Sequence, residues 1–184
     1  MQATSVLMDE HRVIERMLGA MESASERLAG GERVRPGFFL DAAEFAKGFA
    51  DGCHHRKEEG VLFPAMELAG VAREGGPIGV MLAEHEEGRR LTGAMRAAAE
   101  KLEAGSIAFR GELVRHAHAY VALLRQHIAK EDNVLFPMAD RLLLPAAAAK
   151  LADDFDRIER EETGAGLHEK YLAMAEALAR EAAG

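Results

Sequence analysis

The chain is poor in the residues that define several protein classes. It has one cysteine, no tryptophan and two tyrosines among 184 residues. A lone cysteine, Cys53, excludes an intrachain disulfide. No stretch approaches twenty uninterrupted apolar residues, which excludes a membrane-spanning helix. The opening MQATSVLMDEHR carries acidic residues where a secretory signal needs a basic end and an apolar run. With one cysteine and no export signal, the expected compartment is the cytoplasm. Basic residues are in deficit, 23 Lys and Arg against 31 Asp and Glu, for a net charge of −8. That balance argues against a general nucleic-acid binder, and neither nucleic acid nor a membrane is expected as partner. The remaining composition, 48% hydrophobic and 29% charged, is that of a single globular domain with a real core. Against these absences stands an excess of histidine, eight in all.

Glycine and proline divide the chain into helical segments. The first starts after Thr4 or Ser5 as N-cap and closes at Gly30-Gly31. Pro36 opens a second, running to about Ala69. Gly75-Gly76-Pro77 is the strongest break, and the third segment runs from Pro77 to about Ala104, with Gly105 as its C′ residue. Ser106 caps a fourth that runs to about Leu144. Pro145 begins a fifth, and Thr163-Gly164-Ala165-Gly166 separates it from a sixth. Ala, Leu, Glu, Arg and Met dominate every segment, so the expected class is all-α. Four long helices on short connections predict an up-down-up-down four-helix bundle, with additional C-terminal helices packed outside. The expected organisation is a bundle over 1–144, built of hairpins at about 5–70 and 77–144, with 145–184 a helical extension of the same domain.

An internal duplication supports the hairpins. CHHRKEEGVLFP from Cys53 aligns with QHIAKEDNVLFP from Gln126, so His54 falls on His127, Glu58 on Glu131 and Pro64 on Pro137. At nearly the same offset Glu10-His11 meets Glu84-His85. One hairpin cannot bury its apolar face alone, whereas two make a bundle. A proline inside a helix costs about 3 kcal/mol, so its recurrence at matching depth predicts a shared kink.

The duplication singles out His11, His54, Glu58, His85, His127 and Glu131. His54 and Glu58 are four apart, as are His127 and Glu131; on a helix that is about 40° of rotation and about 6 Å of rise, so both side chains leave one face. A single HxxxE is weak evidence, because surface ion pairs and hydrogen-bonded core histidines have the same spacing. Two pairs in matching context, each with a further histidine, predict four imidazoles and two carboxylates around a pair of metal ions. Imidazole and carboxylate suit Fe, Mn or Zn, and the lack of thiolates disfavours Cu(I) and Fe–S clusters.

The neighbours sort less cleanly. His55 and Glu59 form a competing pair, but the second repeat has Ile128 and Asp132 there, and Ile128 binds no metal. Glu59 and Asp132 remain alternates. His116, eleven residues from His127, lies about 16 Å along the axis and cannot share its centre. His118 is out of phase and expected to face outward, and His168 is expected at a cap or on the surface. Tyr120 reads as a buried core tyrosine, or one that hydrogen-bonds toward the site. Val61, Leu62, Phe63, Val134, Leu135 and Phe136 read as core, and as a barrier to water around the site. Lys57 and Lys130 read as solvated. No HExxH, P-loop, GxGxxG, GxSxG or diiron Glu-x-x-His pattern is present.

Together Asp9-Glu10-His11, HHRKEEGVLFP, EHEEGR from Glu84 and HIAKEDNVLFP resemble the hemerythrin-like, HHE cation-binding family over about residues 5–144. The resemblance implies a four-helix bundle holding two non-haem Fe ions. By it, His11, His54, His85 and His127 would be terminal ligands. Glu58 and Glu131 would be carboxylate bridges beside an oxo or hydroxo bridge, and one iron would stay open to O₂ or a related diatomic or peroxide ligand. The family's oxygen carriers place two histidines four apart on the third helix. Here Met81 and Arg89 flank His85 at that spacing, which leaves His55 as the source of a fifth imidazole. A centre with fewer nitrogens favours sensing or a redox response over O₂ storage. The alternatives are an enzyme acting on nitric oxide or peroxide, and an iron donor for Fe–S cluster repair; a structural bundle or sensor is a third reading.

Overall fold

The computed structural model describes residues 4–35, 37–163 and 166–183. The expected opening of the second helix at Pro36 and the Gly164-Ala165 break lie outside the described residues. Within them the chain is six helical rods and no strand. Helix α1 is Ser5–Ala29. Helix α2 runs continuously over 38–68, as α-helical Phe38–Phe45, π-helical Ala46–His55 and Glu58–Leu62, and α-helical Phe63–Leu68. Helix α3 is Pro77–Glu103, with Pro77 in its first turn, where no donor is lost. Helix α4 follows a 3₁₀ turn, Ile107–Phe109, as Arg110–Lys130, then π-helical Glu131–Leu135, then Phe136–Leu142. Helix α5 is Pro145–Ile158, ending in the π turn Glu159–Thr163, and helix α6 is Leu167–Ala182. Gly105 adopts φ +92, the left-handed conformation expected of a C′ glycine. Thr4 occupies the N-cap position of α1, yet its hydroxyl donates to the Asp140 carboxylate at 2.8 Å rather than to its own helix.

Periodicity sets the packing. Helix α1 buries Leu7, His11, Ile14, Leu18, Met21, Ser25 and Leu28, an i, i+3/i+4 stripe. It runs antiparallel to α4, since Thr4 meets Asp140, Arg12 meets Asp132 and Glu22 meets Arg125. Helices α2 and α3 are likewise antiparallel, through His85 to Glu59, Arg89 to Asp51 and Arg96 to Glu44. The apolar interior is divided in two. One cluster, with Met21, Phe45, Phe49, Met95 and Leu124, also takes Tyr171, Ala175 and Leu178 from α6. The other, with Leu7, Leu62, Phe63, Met66, Ile78 and Phe136, takes Leu151, Phe155 and Ile158 from α5. The C-terminal helices thus supply core residues to both clusters. Close approach of α6 depends on Gly48, where a Cβ would sit 1.7 Å from the Tyr171 Oη.

Two expectations about packing are overturned. Val134 is 52% exposed, while its counterpart Val61 is buried. Helix α5 packs against the turn that carries Val61, and among the described residues Val134 has no comparable cover. Lys57 is fully buried, because Glu10 and Glu159 hold its ammonium at 2.5 and 3.1 Å. Lys130 keeps its solvent exposure, ion-paired with Glu84.

Candidate metal centre

A layer of histidines and carboxylates separates the two apolar clusters. His11 lies between Leu7 and Ile14 on α1, and His85 between Met81 and Leu91 on α3. His54 lies in the first π-helical stretch of α2 and Glu58 opens the second, and His127 and Glu131 stand at the entry to the π turn of α4. Both π turns end two residues before a proline, Pro64 or Pro137, whose missing N–H and bulky ring disfavour a regular i→i−4 ladder there. The repeated proline therefore marks a widened turn under each carboxylate, a feature frequent at functional sites.

All six sequence-predicted residues converge, each no more than 1% exposed. The His11 and His54 Nε2 atoms are 2.9 Å apart, and those of His85 and His127 are 3.1 Å apart. Glu58 spans the two pairs, with Oε1 at 3.4 Å from His54 and Oε2 at 3.4 Å from His85. Glu131 Oε2 lies 3.2 Å from both His11 and His127. Two groups of four donors result, His11, His54, Glu58 and Glu131, and His55, Glu58, His85 and His127, each with donor atoms within 4.8 Å of one another. Both oxygens of Glu58 and Glu131 are buried without a hydrogen-bond partner. Leaving an ionised carboxylate so placed costs several kcal/mol unless a cation meets it. Nitrogen and oxygen ligands about 2.1 Å from one ion lie about 3.0–3.4 Å from their neighbours around it. The observed separations match that spacing, so the residues present fit a metal pair.

His55 is the one asymmetric member. Its ring stacks on His85, with centroids 3.8 Å apart, and neither of its nitrogens has a hydrogen-bond partner. Asp51 stands 3.6 Å from Nδ1, beyond hydrogen-bonding reach. Burial, and then the neighbouring His85, push its pKa well below the usual value, so it keeps a neutral ring able to donate a lone pair. Met81 is buried, and Arg89 pairs with Asp51 and Glu59, so neither position flanking His85 adds a nitrogen.

Each of the other four imidazoles is backed at Nδ1 by a carboxylate. His54 contacts Glu10 at 3.0 Å, His127 Glu84 at 2.9 Å, His85 Glu59 at 2.7 Å and His11 Asp132 at 2.7 Å. A cation then holds each carboxylate: Lys57, Lys130, Arg89 and Arg12 in the same order. Glu59 and Asp132, alternates for the ligand positions on sequence grounds, are instead these orienting groups. Such partners fix the tautomer, presenting Nε2 to a metal, and raise ligand basicity. Phe63 stacks on His85 and Phe136 on His11, so the duplicated aromatics close the centre on the side of the second cluster.

The charges are mutually dependent. Burial opposes the imidazolium of His11, but Asp132 and Glu131 outweigh it and raise the pKa to about 9. At His85 burial is likewise outweighed, by Glu58 and Glu59, again to about 9. Burial would raise Glu58, yet His54 and His85 hold it down at about 2. Without metal, protons on these imidazoles balance the carboxylates.

Other residues stay outside. His118 is exposed, and His116 lies 3.8 Å from Glu112. Tyr120 is a buried core residue. His168 is half-buried at the start of α6 and comes together with Glu10 and Cys53. The Cys53 Sγ is 3.9 Å from Glu10 and belongs to neither donor group of the centre.

Fold and site define an all-α bundle with a buried, two-part cation site of imidazoles and shared carboxylates. The sequence model described as "Hemerythrin HHE cation binding domain" matches residues 2–139, and the chain belongs to this family. It is also similar to uncharacterised proteins of Mycobacterium bovis and Mycobacterium tuberculosis, 27% identical over 158 residues, 86% of this chain and 61% of each relative. The chain thus spans about three fifths of the length of the curated relatives it matches. No helix among the described residues is long and apolar enough to cross a membrane.

Proposed function

We propose that this protein is a non-haem diiron protein that binds O₂ or a related diatomic or peroxide ligand as part of sensing or a redox response. One observation carries the reading: two four-donor groups share Glu58, and its two oxygens, like those of Glu131, have no other partner. In this reading His11 and His54 hold one metal, His85 and His127 the other, and the two glutamates lie between them. The His55 imidazole is the fifth nitrogen, on the His85 side. Mn or Zn would fit the same donors; family membership favours iron. When bound, the metal pair supplies redox electrons and an electrophilic site for a small ligand.

The protein's own groups do the rest. The four backing carboxylates hold each Nδ1 proton, so that Nε2 is the free donor atom. Phe63 and Phe136 exclude water from one side, which limits loss of the reduced state to bulk solvent. The unequal histidine count, two in one group and three in the other, makes the two positions chemically distinct. Anaerobic loading with Fe(II) followed by exposure to air tests the proposal. Charge-transfer absorption in the near-UV and visible is expected; a flat spectrum from iron-loaded protein would overturn it.

A further inference from the structure

Beside the metal centre, and not needed to form it, lies a pocket of about 400 Å³ between α2, α3 and α4. It is far larger than a diatomic ligand requires and falls in the range of sites for organic molecules. Its inner end is formed by His55 and Tyr120, each only 4% exposed, with the buried Gly88 beside them. The pocket therefore reaches from solvent to an imidazole with two unpartnered nitrogens that also belongs to the donor group of His85.

The chemistry of the lining is graded. Ala43, Ala46, Gly88 and the Tyr120 ring give flat, apolar walls, interrupted by Thr92 and by the ion-paired Asp51 and Arg89. The mouth is charged, with Lys47 exposed and Arg96 and Glu44 each about half-exposed. Arg96 is held by Glu44 and Glu100, and Arg89 by Asp51 and Glu59. Lys47 makes no ion pair among the described residues. One cation at the mouth is thus left over, beside walls that are otherwise uncharged or ion-paired.

We infer that this pocket is a binding site for a small planar organic monoanion, seated with its ring against Tyr120 and the glycine-lined wall of α3 and its charge toward Lys47. Bound there, the molecule lies against His55 and so communicates with the adjacent metal position. That coupling rests on the diiron reading; binding itself does not.

Benzoate is the probe, benzylamine its cationic counterpart, and ligand-observed NMR on the full metal-free chain the first readout. Saturable one-to-one binding of benzoate is expected, with benzylamine at least tenfold weaker. Gly93 lines the mouth, and a Cβ there meets nothing within 4 Å. Gly93→Phe should therefore fill the mouth without straining the helix and abolish binding. Gly19→Phe, on α1 and equally open, should leave it intact. Lys47→Glu, at an exposed and unpaired position, should reverse the preference between the two probes. In iron-loaded protein benzoate should shift the absorption, and Gly93→Phe should remove that shift while leaving the response to azide. Absence of saturable benzoate binding, or binding untouched by both Gly93→Phe and Lys47→Glu, overturns the inference. If azide shifts the spectrum and benzoate never binds, the pocket proposal falls and the diiron reading stands. If benzoate binds and no iron loads, the reverse holds.

Discussion

Glu10→Gln separates the two tasks that one buried carboxylate performs. Glu10 is 3% exposed and meets both His54 Nδ1, at 3.0 Å, and Lys57 Nζ, at 2.5 Å. Glutamine preserves the shape and removes the charge. Lys57, fully buried, then keeps only Glu159 at 3.1 Å. Removing one partner of a buried ion pair costs about 3–5 kcal/mol, and the surviving contact places the expected loss near the lower end. His54 loses the anion that fixes its tautomer, which should weaken metal binding about 10–100-fold, or about 1.4–2.7 kcal/mol. Adding Lys57→Met removes the stranded ammonium, so the double variant should regain most of the stability and none of the affinity. Urea unfolding of the metal-free chain reads the first effect, and a chelator competition titration reads the second. A folded Glu10→Gln protein with wild-type metal affinity, or a double variant that recovers affinity, would refute the reasoning. Glu84→Gln is the matched control: Lys130 is 42% exposed, so affinity should fall with a stability loss under about 1 kcal/mol.

With their pKa values raised from the ordinary 6.5 to about 9, protonated His11 and His85 stabilise the metal-free fold fully below about pH 6.5 and lose that contribution as the pH rises through 9. The melting temperature of metal-free protein should fall across that window while metal affinity rises. Loading the centre at pH 7 should release at least two protons, measurable with an indicator in weak buffer. Phe136→Ala should cost about 3–5 kcal/mol and speed air oxidation of the Fe(II) form, followed by absorbance. Gly48→Ala would drive a methyl into Tyr171, so α6 should detach and become sensitive to limited proteolysis while α1 to α4 stay resistant.

The convergence of the six residues could be anticipated from the sequence because the chain repeats their pattern. His54 with Glu58 is ambiguous alone, and the copy at His127 with Glu131 favours it over His55 with Glu59, although His55 also joins one donor group. The same duplication carried the backing carboxylates, since Glu10 matches Glu84 and Glu59 matches Asp132. Their role was hidden because it crosses between helices: Glu10 serves His54 and Glu84 serves His127 within each half, whereas Glu59 serves His85 and Asp132 serves His11 across the halves. Spacing within a helix cannot report such a contact. Lys57 was misjudged for a related reason, as its burial depends on Glu159, a hundred residues away and outside the repeat. Val134 followed its copy Val61 on paper, but only one half is covered by α5. The π turns were legible only as repeated prolines, because hydrogen-bond register leaves no signature in apolar periodicity.

The central claim is that two hairpins assemble one dinuclear centre, and metal content tests it most directly. Elemental analysis of the chain purified without added metal should find two ions per chain, mostly iron, falling below one in a folded Glu58→Ala variant. One ion or none per chain, or a full pair retained after Glu58→Ala, would contradict the account.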